Sequence, residues 1–251
     1  MPYLTILGSS NAIPDEDHEN THMVLVSKDR TVLVDCSGHP LLRLKQTGID
    51  HQRLTDIILT HFHPDHVSGI ASFLMNLWLL GRREPIRIYG LEHTLLRTEK
   101  MMEFYDWNNW PGFFSVTFQV LPEEERVLVL EGEEIRIYAS PVRHIIPTIG
   151  LRFDSLESNQ SLSYSCDTEP CAQVVRLARE SKILIHEASG ATYGHSSAAQ
   201  AGEIAQRAGA ERLYLIHYPT NGGNAKQLIE EARSTFSGPV ELATDLLHLD
   251  I

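Results

Sequence analysis

Cysteine is scarce: Cys36, Cys166 and Cys171 are the only three in 251 residues. An odd, widely spaced set excludes a disulfide framework and suits a reducing compartment, here read as the cytoplasm. Long apolar runs are missing as well. No stretch approaches the ~20 apolar residues that a membrane span needs. Met1-Pro2-Tyr3-Leu4-Thr5 has no basic region ahead of an apolar one, so no signal peptide is expected. Cations are the minority charge, 21 Lys and Arg against 33 Asp and Glu, for a net charge of −12. An acidic surface repels phosphate backbones over most of its area, which excludes a basic nucleic-acid binder. It leaves room for a nucleotide or RNA end at a locally positive metal centre, because two divalent cations invert the local field. No linker-like stretch divides the chain, so one domain over residues 1–251 is expected.

Histidine is abundant instead, with 13 residues. Four potential ligands sit together in Leu59-Thr60-His61-Phe62-His63-Pro64-Asp65-His66. Before them, Asp56 to Thr60 reads as a buried strand, apolar and rich in β-branched residues. After them, Ile70, Phe73, Leu74 and Leu77 recur with helical spacing. The cluster therefore lies on a loop between a strand's C-terminal end and a helix. An extended segment aims His61 and His63 at one point. Pro64 turns the chain, and Asp65 and His66 are free to face a second point nearby. Imidazole nitrogen and carboxylate oxygen suit Zn²⁺, with Mn or Fe also accommodated. The competing reading, a solvated histidine-rich loop, does not account for four such groups after a buried strand.

The rest of the chain alternates strands with helices. Strands are read at 3–8, 23–26, 31–35, 86–90, 127–130, 134–139, 148–153, 162–165, 183–185, 213–216 and in the last twelve residues. Helices are read at 92–105, 171–179, 196–208 and 225–236. That order predicts an α/β protein in which two packed sheets carry helices outside both. Further metal-competent residues stand directly beyond strands: His144, Asp167 and His217. Asp35 also ends a strand on that side; there it either orients a metal ligand or caps a helix containing Leu41, Leu42 and Leu44. Asp15 to Asn20 reads as a solvated charge run. The aromatics from Phe104 to Phe118 have neither helical nor alternating spacing and suggest a cleft wall or subunit contact, with a homodimer as the expected assembly.

His-x-His-x-Asp-His after a buried strand resembles the signature of the metallo-β-lactamase fold superfamily. His186-Glu187-Ala188-Ser189 and Gly194-His195-Ser196-Ser197-Ala198 resemble the His-Glu-Ala-Thr and Gly-His-Ser-Thr-Ala motifs of its ribonuclease Z branch. The resemblance implies an αββα four-layer sandwich of two mixed sheets. It implies His61, His63 and His144 on one divalent cation, Asp65, His66 and His217 on a second, and Asp167 bridging. It also implies a hydrolase that uses a metal-activated water, with Asp65 orienting the water and His195 protonating the leaving group, supported by Glu187. Cys166 precedes the bridging candidate; strand alternation is expected to turn it away from the metals.

Two departures narrow the substrate. Ribonuclease Z carries a tRNA-gripping arm, in bacterial forms between the third and fourth ligand motifs. Here a loop and two strands use the whole interval from His144 to Asp167. The family's basic Pro-x-Lys-x-Arg-Asn loop is replaced by acidic Ile13-Pro14-Asp15-Glu16-Asp17. The expected substrate is thus a small phosphodiester or RNA end rather than folded tRNA, with no membrane partner. A hydrolase of small esters, thioesters or lactones is the rival enzyme reading. A non-catalytic metal-binding protein is the rival from another class.

Overall fold

Most strands are apolar on both faces, and this decides the architecture. A computed structural model describes residues 1–222 and 224–251. The first sheet takes β1 (Tyr3–Gly8), β2 (His22–Val26), β3 (Thr31–Val34), β4 (Asp56–Ile58), β5 (Ile86–Leu91) and β6 (Val116–Leu121). The second takes β7 (Val127–Glu131), β8 (Ile135–Val142), β9 (Thr148–Ser155), β10 (Ser161–Tyr164), β11 (Ile183–Glu187), β12 (Arg212–Ile216) and β13 (Val240–Leu242). The chain then returns to the first sheet as β14 (His248–Asp250), beside β1. Each sheet has seven strands, ordered β14-β1-β2-β3-β4-β5-β6 and β13-β12-β11-β10-β9-β8-β7. Each is antiparallel in one half and parallel in the other: β3 to β6 run parallel, and so do β10 to β13.

Alternation along each strand supplies both faces. Met23, Leu25, Val32, Val34 and Ile58 point into the space between the sheets, where they meet Leu162, Tyr164, Ile183, Ile185 and Ile216. Their neighbours Val24, Leu33 and Ile57 point outward to a helical layer. That layer holds α1 (Pro40–Gln46), α2 (Pro64–Val67), α3 (Ile70–Leu79) and α4 (Glu92–Glu103). On the other outer face, Leu184, Leu213 and Leu215 meet α5 (Ala172–Leu177), α6 (Ala198–Ala208) and α7 (Ala225–Arg233). The result is the expected αββα sandwich. Burial of each Leu or Ile contributes about 1.5–3 kcal/mol.

Several expectations are corrected. Ser140 to Val142 is strand rather than loop, pairing with β9 as far as Val142 and Thr148. Pro141 is tolerated because β7 stops opposite Ala139, leaving the missing N–H on an unpaired edge. Asp15 to Asn20 is at least partly exposed throughout, as a solvated run should be, but it is also tied: Glu19 N–H donates to Asp245 Oδ2 at 2.9 Å, and its carbonyl accepts from Ser10 N–H at 2.9 Å. The aromatic block mostly feeds the core beneath α4. Trp107 and Phe114 are buried, and Trp110, Phe113 and Phe118 pack against the same cluster. Trp110 stacks on Trp78, ring centroids 5.1 Å apart, leaving Phe104 and Tyr105 exposed.

Candidate metal centre

In open α/β sheets, functional groups collect beyond the carboxyl ends of the strands. Six such ends converge here. Asp35 follows β3, and the histidine loop follows β4. His144 lies two residues beyond β8, and Asp167 three beyond β10. Glu187 ends β11, and His217 follows β12. The turns are tight. Asp35, Cys166 and His217 all take left-handed backbone, with φ of 59°, 55° and 53°. Non-glycine residues pay for that conformation in strain, which persists where surrounding structure enforces it.

The structure brings all seven sequence-predicted ligands together. His61 Nε2 and His144 Nε2 each lie 3.1 Å from His63 Nδ1. Asp65 Oδ2 lies 3.3 Å from His217 Nε2 and 3.6 Å from His66 Nε2. Asp167 Oδ2 stands between the two groups, 3.4 Å from His217 Nε2, 3.5 Å from His66 Nε2, 3.9 Å from His61 Nε2 and 4.0 Å from His144 Nε2. The site is thus two donor sets sharing one carboxylate.

The hydrogen bonds behind these residues fit metal ions. His66 Nδ1 donates to Asp35 Oδ2 at 2.8 Å, His144 Nδ1 to Gly194 O at 2.7 Å, and His217 Nδ1 to Ser189 Oγ at 2.8 Å. His61 Nδ1 donates to Thr60 Oγ1 at 3.1 Å. Committing Nδ1–H outward leaves a bare Nε2 facing the cluster, which is how metal-binding histidines are oriented. Asp167 Oδ1 and His66 Nε2 are buried without a hydrogen-bond partner, and such atoms call for an occupant. Burial pushes the His61, His63 and His144 imidazoles below their ordinary range, towards the neutral form that ligates. His66 goes the other way: burial opposes its charge, yet Asp167 and Asp35 on either side raise it well above the ordinary value. Two anions there demand positive charge.

The two remaining predicted residues form a dyad at the rim. His195 Nδ1 donates to Glu187 Oε1 at 3.0 Å. That hydrogen bond raises the His195 imidazole above its ordinary value, against partial burial. Burial pushes the Glu187 carboxyl up, but it also accepts from Thr168 N–H at 2.9 Å and Ser189 N–H at 3.0 Å. Three N–H donors hold it as the anion. The His195 ring lies 5.0 Å from the His144 ring and 5.9 Å from the His217 ring, centroid to centroid, so its free Nε2 is beside the cluster.

A family model described as Anti-Pycsar protein Apyc1 matches residues 2–237. The chain belongs to this family. It is also similar to Ribonuclease Z of Methanothermobacter thermautotrophicus, 26% identical over 307 aligned positions covering 100% of this chain and 97% of the relative. Among solved structures, the metallo-β-lactamase fold protein YhfI from Bacillus subtilis matches with a TM-score of 0.83 at 22% identity, over 98% of each chain. Human tRNase Z, short form, matches with a TM-score of 0.77 at 23% identity, over 99% of each. This Apyc1-family chain therefore has the metallo-β-lactamase fold and is ribonuclease Z-like.

Asp35 resolves in favour of orientation. It accepts from His66, from Thr60 N–H at 2.8 Å and from the Thr60 hydroxyl, whereas α1 is preceded by His39 without a side-chain cap. The expectation for Cys166 fails in its reasoning. Its left-handed φ breaks the alternation, and its Sγ lies 3.6 Å from His61 Nδ1, behind the ring rather than on its Nε2 side. Ser189 and the Gly194 carbonyl were not singled out from sequence. The Ser189 hydroxyl could have been, since it stands where the ribonuclease Z motif has Thr. A backbone carbonyl leaves no trace in side-chain identity.

Proposed function

We propose that this Apyc1-family member is a two-metal phosphodiesterase of ribonuclease Z-like kind, acting on small phosphodiesters or RNA ends. The observation that carries the reading is Asp167 Oδ2 lying within 4.0 Å of four imidazole Nε2 atoms drawn from both donor sets. His61, His63 and His144 would hold one cation and Asp65, His66 and His217 the other, with Asp167 within reach of both sets. Two such cations, when bound, activate a water near neutral pH and polarise the phosphoryl oxygen. Neutral imidazole and carboxylate donors favour Zn²⁺, with Mn or Fe also suited. Asp65, whose carboxyl is held low despite burial by the His217 and His66 imidazoles beside it, would orient the attacking water. His195, kept protonated by Glu187, gives a proton to the departing oxygen from Nε2. An alkoxide is a poor leaving group and needs that proton, which favours phosphodiesters over activated esters and thioesters.

The buried free thiols of Cys36, Cys166 and Cys171 suit a reducing cytoplasm. No helix among the described residues is long and apolar enough to cross a membrane. The chain is read as one domain and as a homodimer.

The test is metal content together with turnover. Protein loaded with Zn²⁺ should hold close to two ions per chain and hydrolyse bis-p-nitrophenyl phosphate faster than a thioester or a lactone. Asp167→Ala should lower the affinity of both sites, because two cations then repel without a shared anion. Loss of only one ion in that variant would remove Asp167 from the bridging role. Two bound ions with no turnover of any ester would favour a metal-binding protein.

A further inference from the structure

The residue immediately before His195 is held through both of its backbone polar groups. Gly194 O accepts from His144 Nδ1 at 2.7 Å, and Gly194 N–H donates to Glu169 Oε1 at 3.1 Å. Glu169 is itself fixed: its N–H donates to Arg143 O at 2.7 Å, and Arg143 Nη1 lies 3.9 Å from its other carboxylate oxygen. The loop has other ties: His195 N–H donates to Thr192 O at 3.1 Å and Gly190 N–H to Ser196 O at 3.0 Å. Ser189 N–H reaches Glu187, and Ser196 Oγ donates to Thr168 O at 2.6 Å. Gly194 has φ +83°, and a Cβ there would lie 2.7 Å from Ile145 Cγ1 and 3.0 Å from His144 Nδ1. Gly194 is therefore packed closely against His144 and Ile145, and Glu169 holds the N–H of the preceding peptide.

Among the described residues, Glu169 belongs to no group of donors arranged to hold a metal. Its charge is thus not spent on a metal ion, and the Arg143 guanidinium 3.9 Å away is largely exposed, so that pairing is weak. What the side chain supplies is an acceptor for one backbone N–H. We propose that Glu169 is a positioning residue for His195. Through the Gly194 peptide it fixes how far the His195 Nε2 reaches over the cation site. The proposal rests on the assignment of His195 as the acid.

Displacement of a catalytic group by about 1 Å costs on the order of 10²-fold. Glu169→Ala lets Gly194 N–H turn to water, and His195 loses one of its restraints. In fully loaded protein, kcat for a dinucleotide such as UpU, with its alkoxide leaving group, should fall about 10- to 100-fold. KM and metal content should be unchanged, and bis-p-nitrophenyl phosphate should be cleaved at nearly the parent rate. Glu169→Gln keeps the acceptor and removes the charge, so it should restore kcat for UpU, with KM equal to or below the parent's. A second readout does not depend on turnover: in metal-free protein, the Gly194 amide should exchange with deuterium faster in Glu169→Ala and at the parent rate in Glu169→Gln. Unchanged amide exchange, an unaltered kcat for UpU, or an equal fall on both substrates accompanied by metal loss would each overturn the proposal. His195→Ala is run in parallel. If its loss falls equally on both substrates, the acid assignment itself fails, and the amide exchange still reports separately whether Glu169 holds the loop.

Discussion

At the residue scale the site separates holding from proton transfer, and the two can be dissected by leaving group. His195→Ala removes a group that points its free nitrogen at the cluster without belonging to either predicted donor set. It should lower turnover of an alkoxide-leaving substrate about 10²- to 10⁴-fold, and much less for p-nitrophenolate, with both ions retained. Loss of metal would instead make His195 a ligand. Glu187→Gln addresses the proton itself. The Glu187 anion raises the His195 imidazole, so neutralising it lowers that value. The acid is present below its pKa and lost as pH rises through it, so the alkaline limb of the pH–rate profile should move to lower pH. An unmoved limb would assign that limb to another group. The convergence of the predicted ligands with the His195–Glu187 pair was legible in the sequence, because these are side chains in recognisable order beyond strands. For Cys166 only the ground was wrong: alternation assumes extended backbone, and a left-handed residue at the strand's exit resets it. Glu169 was invisible because it acts on a peptide N–H from another loop.

At the element scale, helices α6 and α7 cross at Gly202, and here a common stabilising substitution should fail. Replacing a mid-helix glycine by alanine ordinarily gains up to ~1 kcal/mol. At Gly202 the new Cβ would lie 2.4 Å from the Ala232 carbonyl and 2.3 Å from Thr235 Oγ1. The hydroxyl can rotate away, but the carbonyl belongs to the backbone of α7, and just beyond that helix Phe236 is buried against the second sheet's outer face. Overpacking of this kind typically costs about 1–3 kcal/mol. Gly202→Ala should therefore lower the midpoint of urea unfolding while leaving metal content and turnover intact, since α7 carries none of the predicted ligands. A raised midpoint would mean that the two helices separate easily. Helix existence was plain from periodicity here, whereas their closest approach was not, because it depends on which glycine faces which carbonyl. Strand β6 escaped the sequence reading for a related reason. It is an edge strand with most of its residues at least partly exposed, so it lacks the continuous apolar run that marked its buried neighbours.

At the scale of the whole molecule, charge and outline limit what reaches the metals. The chain carries −12 overall, and the interval between His144 and Asp167, where bacterial ribonuclease Z has its arm, is filled by β9 and β10. The alignment with the archaeal Ribonuclease Z spans 307 positions against 251 residues here, so that relative contains segments this chain lacks. On the proposed small-substrate reading, a folded tRNA would meet a chain of net charge −12 and, among the described residues, no basic arm to hold it. A small phosphodiester is governed mainly by the cations in the cleft. The expected outcome is a higher kcat/KM for a dinucleotide than for precursor tRNA. The salt dependence should also differ in sign from that of a basic RNA binder. Such a binder loses roughly 10³- to 10⁵-fold in affinity between 50 and 200 mM salt when it makes 6–10 phosphate contacts. Here added salt screens repulsion, so residual tRNA cleavage should stay flat or rise over that range. Steady-state cleavage of both substrates across that salt series decides the matter. Efficient, site-specific tRNA cleavage that falls steeply with salt would mean that a cationic surface does engage the tRNA, and the small-substrate reading would be wrong.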